Sequence, residues 1–264
     1  MLLALLAALA GLLAGSFLNV CIYRLPRDLS VVRPRSFCPH CQATLAWYDN
    51  IPLASYLLLR GRCRSCGAAI GLRYPAVELL TAGLFAAAVL RAGLSLEGLR
   101  LALLAALLVG LIFTDLEARI LPDEFTLGGI AAALALALLA PMDPLLVLLL
   151  APRQWDPRWL SLGEALLGVL VTGSLLWVMG TLYEKVRRRE GMGLGDVKMA
   201  AMLGAFLGLY GAMLALLLGS LAGSLLGLIY IKAAGKKASE YQLPFGSFLG
   251  VGALAVAFLD WARF

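Results

Sequence analysis

The residues best placed to do chemistry are two aspartates, each at the end of an apolar run. Asp196 follows the glycine-rich turn Gly191-Met192-Gly193-Leu194-Gly195 and opens a hydrophobic stretch that continues beyond Lys198. Three glycines in five residues allow backbone conformations closed to other residues and the close approach of a second chain. A carboxylate at such a threshold is costly and therefore a functional candidate. Asp115 closes another apolar run, in Phe113-Thr114-Asp115-Leu116-Glu117-Ala118-Arg119-Ile120-Leu121-Pro122-Asp123. Two acids close enough to share one proton can divide the labour of hydrolysis: the ionised one draws a proton from water while the protonated one polarises a carbonyl. The same residue types also serve proton or cation relays. A glycine turn that could admit an extended peptide, and a polar segment large enough to hold a protein substrate, favour hydrolysis.

A second constellation is Cys38-Pro39-His40-Cys41 with Cys63-Arg64-Ser65-Cys66. Two C-x-x-C pairs at this separation suit a four-thiolate zinc site, around which a segment too small for its own core can close. Two disulfides or a redox pair are the competing reading. The segment from Arg24 to Arg73, however, carries eight arginines against Asp28 and Asp49, which places it on the cytoplasmic side, where thiols stay reduced. A closed four-cysteine site leaves no open position for catalysis, so the metal is structural. His40 is read as a bystander and Cys21 as a packed or interfacial thiol.

These groups must be positioned by membrane helices. With 62% hydrophobic residues, 14% charged residues and a mean hydropathy of +0.91, the chain has more apolar surface than a soluble domain of 264 residues could bury. Runs of roughly 20 apolar residues fit a hydrocarbon core about 30 Å thick, and alternating strand patterns are absent, so helices satisfy the backbone. We read eight spans: 1–22, 75–90, 99–114, 125–140, 162–183, two within 197–231 divided near Gly208-Leu209-Tyr210-Gly211, and 244–261. The first is expected to be a retained span, not a signal peptide. Asn19 and Arg24 at its end are either interfacial anchors or part of a site, and Glu78 early in the second is either functional or a helix contact. On this topology seventeen of the twenty-two lysines and arginines fall in inner segments. Both termini then lie outside, with Asp115 and Asp196 on one inner face. The net charge of +6 is read as topology signal and lipid contact, with no nucleic-acid partner.

Taken together these stretches resemble the type IV prepilin peptidases, bacterial membrane aspartic proteases of the Gly-x-Gly-Asp class. Gly15 to Pro26 is similar to the family's first-span signature. Cys38 to Glu78, with Asn50-Ile51-Pro52, Leu59-Arg60-Gly61 and Tyr74-Pro75, is similar to its cysteine domain. Asp115 with Leu121-Pro122-Asp123, Gly191 to Lys198, and Pro244-Phe245-Gly246 match its remaining blocks. Ser247 stands where proline is common, and the loop 141–161 is longer than expected; neither departure is expected to touch the catalytic blocks.

The resemblance implies cleavage of basic leaders from prepilins and pseudopilins at the cytoplasmic face of the inner membrane. Asp115 and Asp196 would be the catalytic pair, supported by Gly193, Gly195, Asp123 and Lys198. It also implies N-methylation of the new amino terminus with S-adenosylmethionine, whose site the inner domain and neighbouring helices would have to supply. The expected architecture is an all-α polytopic membrane protein: a first transmembrane helix (1–23), a cytoplasmic four-cysteine zinc-binding domain (24–74; Cys38, Cys41, Cys63, Cys66) and a seven-helix membrane peptidase domain (75–264). A proton or ion transporter and a zinc-dependent assembly factor without catalysis are the rival readings.

Overall fold

The computed structural model describes residues 1–149, 154–188, 192–234 and 243–259. Among these residues there are helices, turns and two isolated β-bridges, and no strand. The chain divides into two compact units, Met1–Gly110 and Leu111–Phe264.

In the first unit, α1 (Leu2–Arg24) is built of leucine and alanine, strong helix formers, and it packs along α3 (Arg73–Ala92). Their backbones touch because α1 presents glycine there. A Cβ on Gly11 would lie 2.7 Å from Ala82 Cα, and one on Gly15 2.7 Å from Glu78 Cα. Small residues four apart are how membrane helices come this close. Pro75 is tolerated because it falls in the first turn of α3.

The polar segment between them, with one short helix α2 (Ala54–Leu58), is held by buried polar groups. Arg24, 4% exposed, donates to the carbonyls of Ser30 and Pro34, each at 2.8 Å. Asn19 donates to the Tyr74 carbonyl at 3.0 Å. Glu78 accepts the Leu53 N–H at 2.9 Å and a hydrogen bond from Ser16. Arg24 therefore ties its own loop together, and Glu78 makes a helix contact as well as pinning the polar segment.

The second unit collects the end of α4 (Leu96–Ala118), α5 (Asp123–Leu139), α6 (Pro157–Arg187), α7 (Leu194–Ala234) and α8 (Phe245–Phe258). Asp156 caps α6 by accepting the Arg158 N–H at 2.8 Å, with Pro157 as the first helical residue. Thr172 brings its hydroxyl within 2.8 Å of the Ala200 carbonyl, fastening α6 to α7. Helix α7 is interrupted at Gly208, whose φ of 68° and ψ of 176° reverse the chain as the glycine pattern predicts. Met199 before the break and Gly219 after it both lie against neighbouring residues of α8, Gly250 and Leu249. Counting α7 as two, each of the eight expected apolar segments is helical over its described residues; among the described residues five helices are long and apolar enough to cross a membrane.

Several boundaries differ from expectation, and two of them extend helices through polar residues. Helix α4 runs four residues past Thr114, so Asp115 lies inside its last turn instead of after it. Helix α6 extends to Arg187, a turn beyond Tyr183, because Glu184, Lys185 and Arg187 are good helix formers despite being polar. The expected last span ends at Phe258 in the described residues, and Trp261 lies outside them.

Candidate active site

Four helix ends build the site in the second unit. Asp115 sits in the last turn of α4, Asp123 opens α5, Asp196 lies in the first turn of α7, and Ser247 lies in the first turn of α8. The positive ends of the α5, α7 and α8 dipoles thus carry acids or face one, which stabilises negative charge.

Asp115 is 6% exposed, and its Oδ2 accepts the Ser247 backbone N–H at 2.7 Å and the Ser247 hydroxyl at 2.8 Å. Asp196 is half-buried, hydrogen-bonded to the backbone of Gly193, and near enough to Asp115 for the two carboxylates to repel each other. Leu121 is the spacer. A Cβ on Gly195 would lie 3.0 Å from Leu121 Cβ, and one on Gly246 would lie 3.0 Å from Leu121 Cδ1 and 3.3 Å from Asp115 Oδ2. Lys198 reaches both oxygens of Asp123, at 2.7 and 2.9 Å, linking the two aspartate segments by an exposed ion pair.

The structure thus brings together Asp115, Asp196, Asp123, Lys198 and Gly195. Gly193 contacts Asp196, and Gly191 lies outside the described residues. The glycine turn acts differently from expectation. Neither Gly193 nor Gly195 has positive φ; Gly195 is needed because Leu121 occupies the space of a side chain. Ser247 is a second correction. The departure from proline does touch the first catalytic block, since it supplies both hydrogen bonds to Asp115. The only signal for it was its place just after Pro244-Phe245-Gly246.

The four cysteines form a separate centre in the first unit. Their sulfurs all lie within 4.8 Å of one another, and Cys38 Sγ is 3.9 Å from Cys66 Sγ. That is too long for a disulfide of about 2.0 Å and close to the roughly 3.8 Å edge of a tetrahedron with 2.3 Å metal–sulfur bonds. The two halves repeat one local design. A bridge joins Phe37 to Thr44 and another Arg62 to Ala69, while Gln42 N–H bonds the Cys38 carbonyl and Gly67 N–H the Cys63 carbonyl. Backbone amides of Cys66 and Ser65 bring the Cys63 thiol down to about 7; the Ala68 amide lowers Cys66, but loss of water and the Cys41, Cys63 and Cys38 thiols together outweigh it and push Cys66 up to about 11. These four residues could hold a metal ion. His40 is exposed and outside the cluster, and Cys21 is buried in α1 away from it.

A helical membrane protein with paired carboxylates at converging helix ends is the class that fold and site define. Residues 9–92 match the bacterial peptidase A24 N-terminal domain, and residues 101–228 match the type IV leader peptidase family. The chain is 43% identical over 226 residues to a prepilin leader peptidase/N-methyltransferase of Myxococcus xanthus, covering 86% of this chain and 62% of that one. It is 38% identical over 277 residues to a type 4 prepilin-like proteins leader peptide-processing enzyme of Escherichia coli, covering 97% and 93%. A prepilin leader peptidase/N-methyltransferase of Neisseria gonorrhoeae is 36% identical over 225 residues, covering 76% and 73%. No solved structure matches. The chain belongs to the type IV leader peptidase family.

Proposed function

We propose that this chain is a prepilin peptidase of the bacterial inner membrane, cleaving basic leaders from prepilins and pseudopilins at the cytoplasmic face with Asp115 and Asp196. The observation that carries this reading is the convergence of the two carboxylates, from α4 and α7, around the glycine-flanked Leu121. One carboxylate takes a proton from water, whose oxygen attacks the scissile carbonyl carbon while the other carboxyl donates its proton to the carbonyl oxygen. Collapse of the resulting diol breaks the C–N bond, and the leaving amine takes up a proton. Asp123 and Lys198 hold the two segments together, and Gly195 admits Leu121 between them. Cleavage of a prepilin-like peptide by the purified protein in detergent tests this; loss of cleavage without loss of folding in Asp115→Asn and Asp196→Asn is expected.

Zinc at Cys38, Cys41, Cys63 and Cys66 fits the donor set and stabilises the polar segment 24–74, with residues 75–264 forming the peptidase domain. For N-methylation, the first unit has a cavity of about 210 Å³ lined by Asn19, Tyr23, Tyr56, Tyr74 and Glu78 among others. The Asn19 Oδ1 is buried and has no partner among the described residues, and Glu78 adds a second acceptor. Aromatic rings and acceptors suit a sulfonium cation and its hydroxyls. When bound there, S-adenosylmethionine would supply an electrophilic methyl group.

A further inference from the structure

We propose that Ser247 is the positioning residue for Asp115, anchoring Oδ2 with two donors so that Oδ1 is the oxygen presented to water. The inference deepens, and rests on, the paired-aspartate reading. A carboxylate has two equivalent oxygens and a broad terminal torsion, whereas water activation needs one oxygen held in place. Here the equivalence is broken: both Ser247 donors converge on Oδ2, at 2.7 and 2.8 Å. The arrangement follows from how α8 begins. Its N-cap is Pro244, which makes no side-chain capping bond, so the first-turn N–H groups need acceptors. Asp115 supplies one from α4, giving charge-assisted bonds at a helix end whose dipole favours the anion.

Two neighbours make the contact possible. Gly246 has no side chain to block Oδ2, which would lie 3.3 Å from a Cβ there. The Ile112 carbonyl, 3.1 Å from Ser247 Oγ, is a second acceptor for the single hydroxyl proton and keeps the hydroxyl beside the acid. Ser247 is itself 4% exposed, so water does not substitute for its donors.

The test is steady-state cleavage of a prepilin-like peptide by the purified full-length protein in detergent, with kcat and KM separated. Ser247→Ala loses one donor to a charged acceptor and is expected to lower kcat by about 10-fold. KM should stay within about twofold, because the residue acts on the acid and not on peptide binding. Ser247→Thr keeps both donors and should restore kcat to within about threefold of the original. Unchanged kcat in the alanine variant, a change confined to KM, or failure of threonine to rescue overturns the proposal. Asp115→Asn in the same assay separates the two readings. If it abolishes cleavage, the aspartate pair stands and an inert Ser247 counts against positioning alone. If it cleaves, the pair and the proposal both fall.

Discussion

Asp115→Asn separates what the acid does for the fold from what it does for chemistry. In the folded protein Asp115 Oδ2 takes two hydrogen bonds from Ser247 in a site that is 6% exposed. Asparagine can turn its carbonyl oxygen to those donors, so the cost is only the difference between charge-assisted and neutral hydrogen bonds, about 1–2 kcal/mol for the two. Asp115→Ala strands them instead. The hydroxyl can turn to the Ile112 carbonyl at 3.1 Å, leaving the Ser247 N–H as a buried orphan at about 1–3 kcal/mol, plus the cavity left by the side chain. Catalysis should not follow this order. Neither variant can take a proton from water, so both should fall below about 1% of the original cleavage rate, given the usual worth of a positioned general base. Thermal melting in detergent and peptide cleavage, measured on the same preparations, give the two readouts. A folded asparagine variant that cleaves at near-normal rate would refute the paired-aspartate mechanism. An alanine variant as stable as asparagine would refute the energetic importance of the Ser247 contact.

Asp196→Asn should abolish cleavage equally while leaving membrane insertion and metal content intact, and the parent enzyme's rate should fall at both acid and alkaline extremes, as a pair sharing one proton requires. Metal analysis should find one zinc per chain; Cys38→Ser or Cys63→Ser should lose it, with a loss of stability that could reach about 10 kcal/mol, while a metal-free sample with paired cysteines would refute the site. Glu78→Gln should weaken binding of labelled S-adenosylmethionine, read by equilibrium dialysis, by about tenfold or more, and unaltered binding would exclude the first-unit cavity as its place.

Much of the site was legible because its residues carry recognisable penalties. Asp115 and Asp196 stand out as carboxylates at the ends of apolar runs, and each C-x-x-C pair announces two thiolates that one metal can reach. The break at Gly208 could be read from glycines in an apolar stretch too long for one span. Other residues give no such signal. Ser247 is marked only by its place after Pro244-Phe245-Gly246, with nothing to say what it meets, and Glu164 passes unnoticed, although it is 2% exposed and accepts the N–H groups of Leu146 and Val147 at 2.9 and 2.8 Å. Glu78 and Arg24 were visible as costly groups, but their partners, Leu53 and the Ser30 and Pro34 carbonyls, were not.

The division has a physical basis. Hydrophobic run length, charge asymmetry and ligand spacing are local properties of the chain, and the membrane converts them into helices and orientation without reference to which helix neighbours which. That level of organisation, with acids at the ends of apolar runs and a four-cysteine segment after the first of them, belongs to the primary structure. Pairing across distance is decided otherwise. Ser247 meets Asp115 across 132 residues and Lys198 meets Asp123 across 75, because α4, α5, α7 and α8 bring their ends together through glycines that admit Leu121. Only packing selects those partners, since a hydrogen-bond donor or a missing Cβ has no meaning until something stands opposite it.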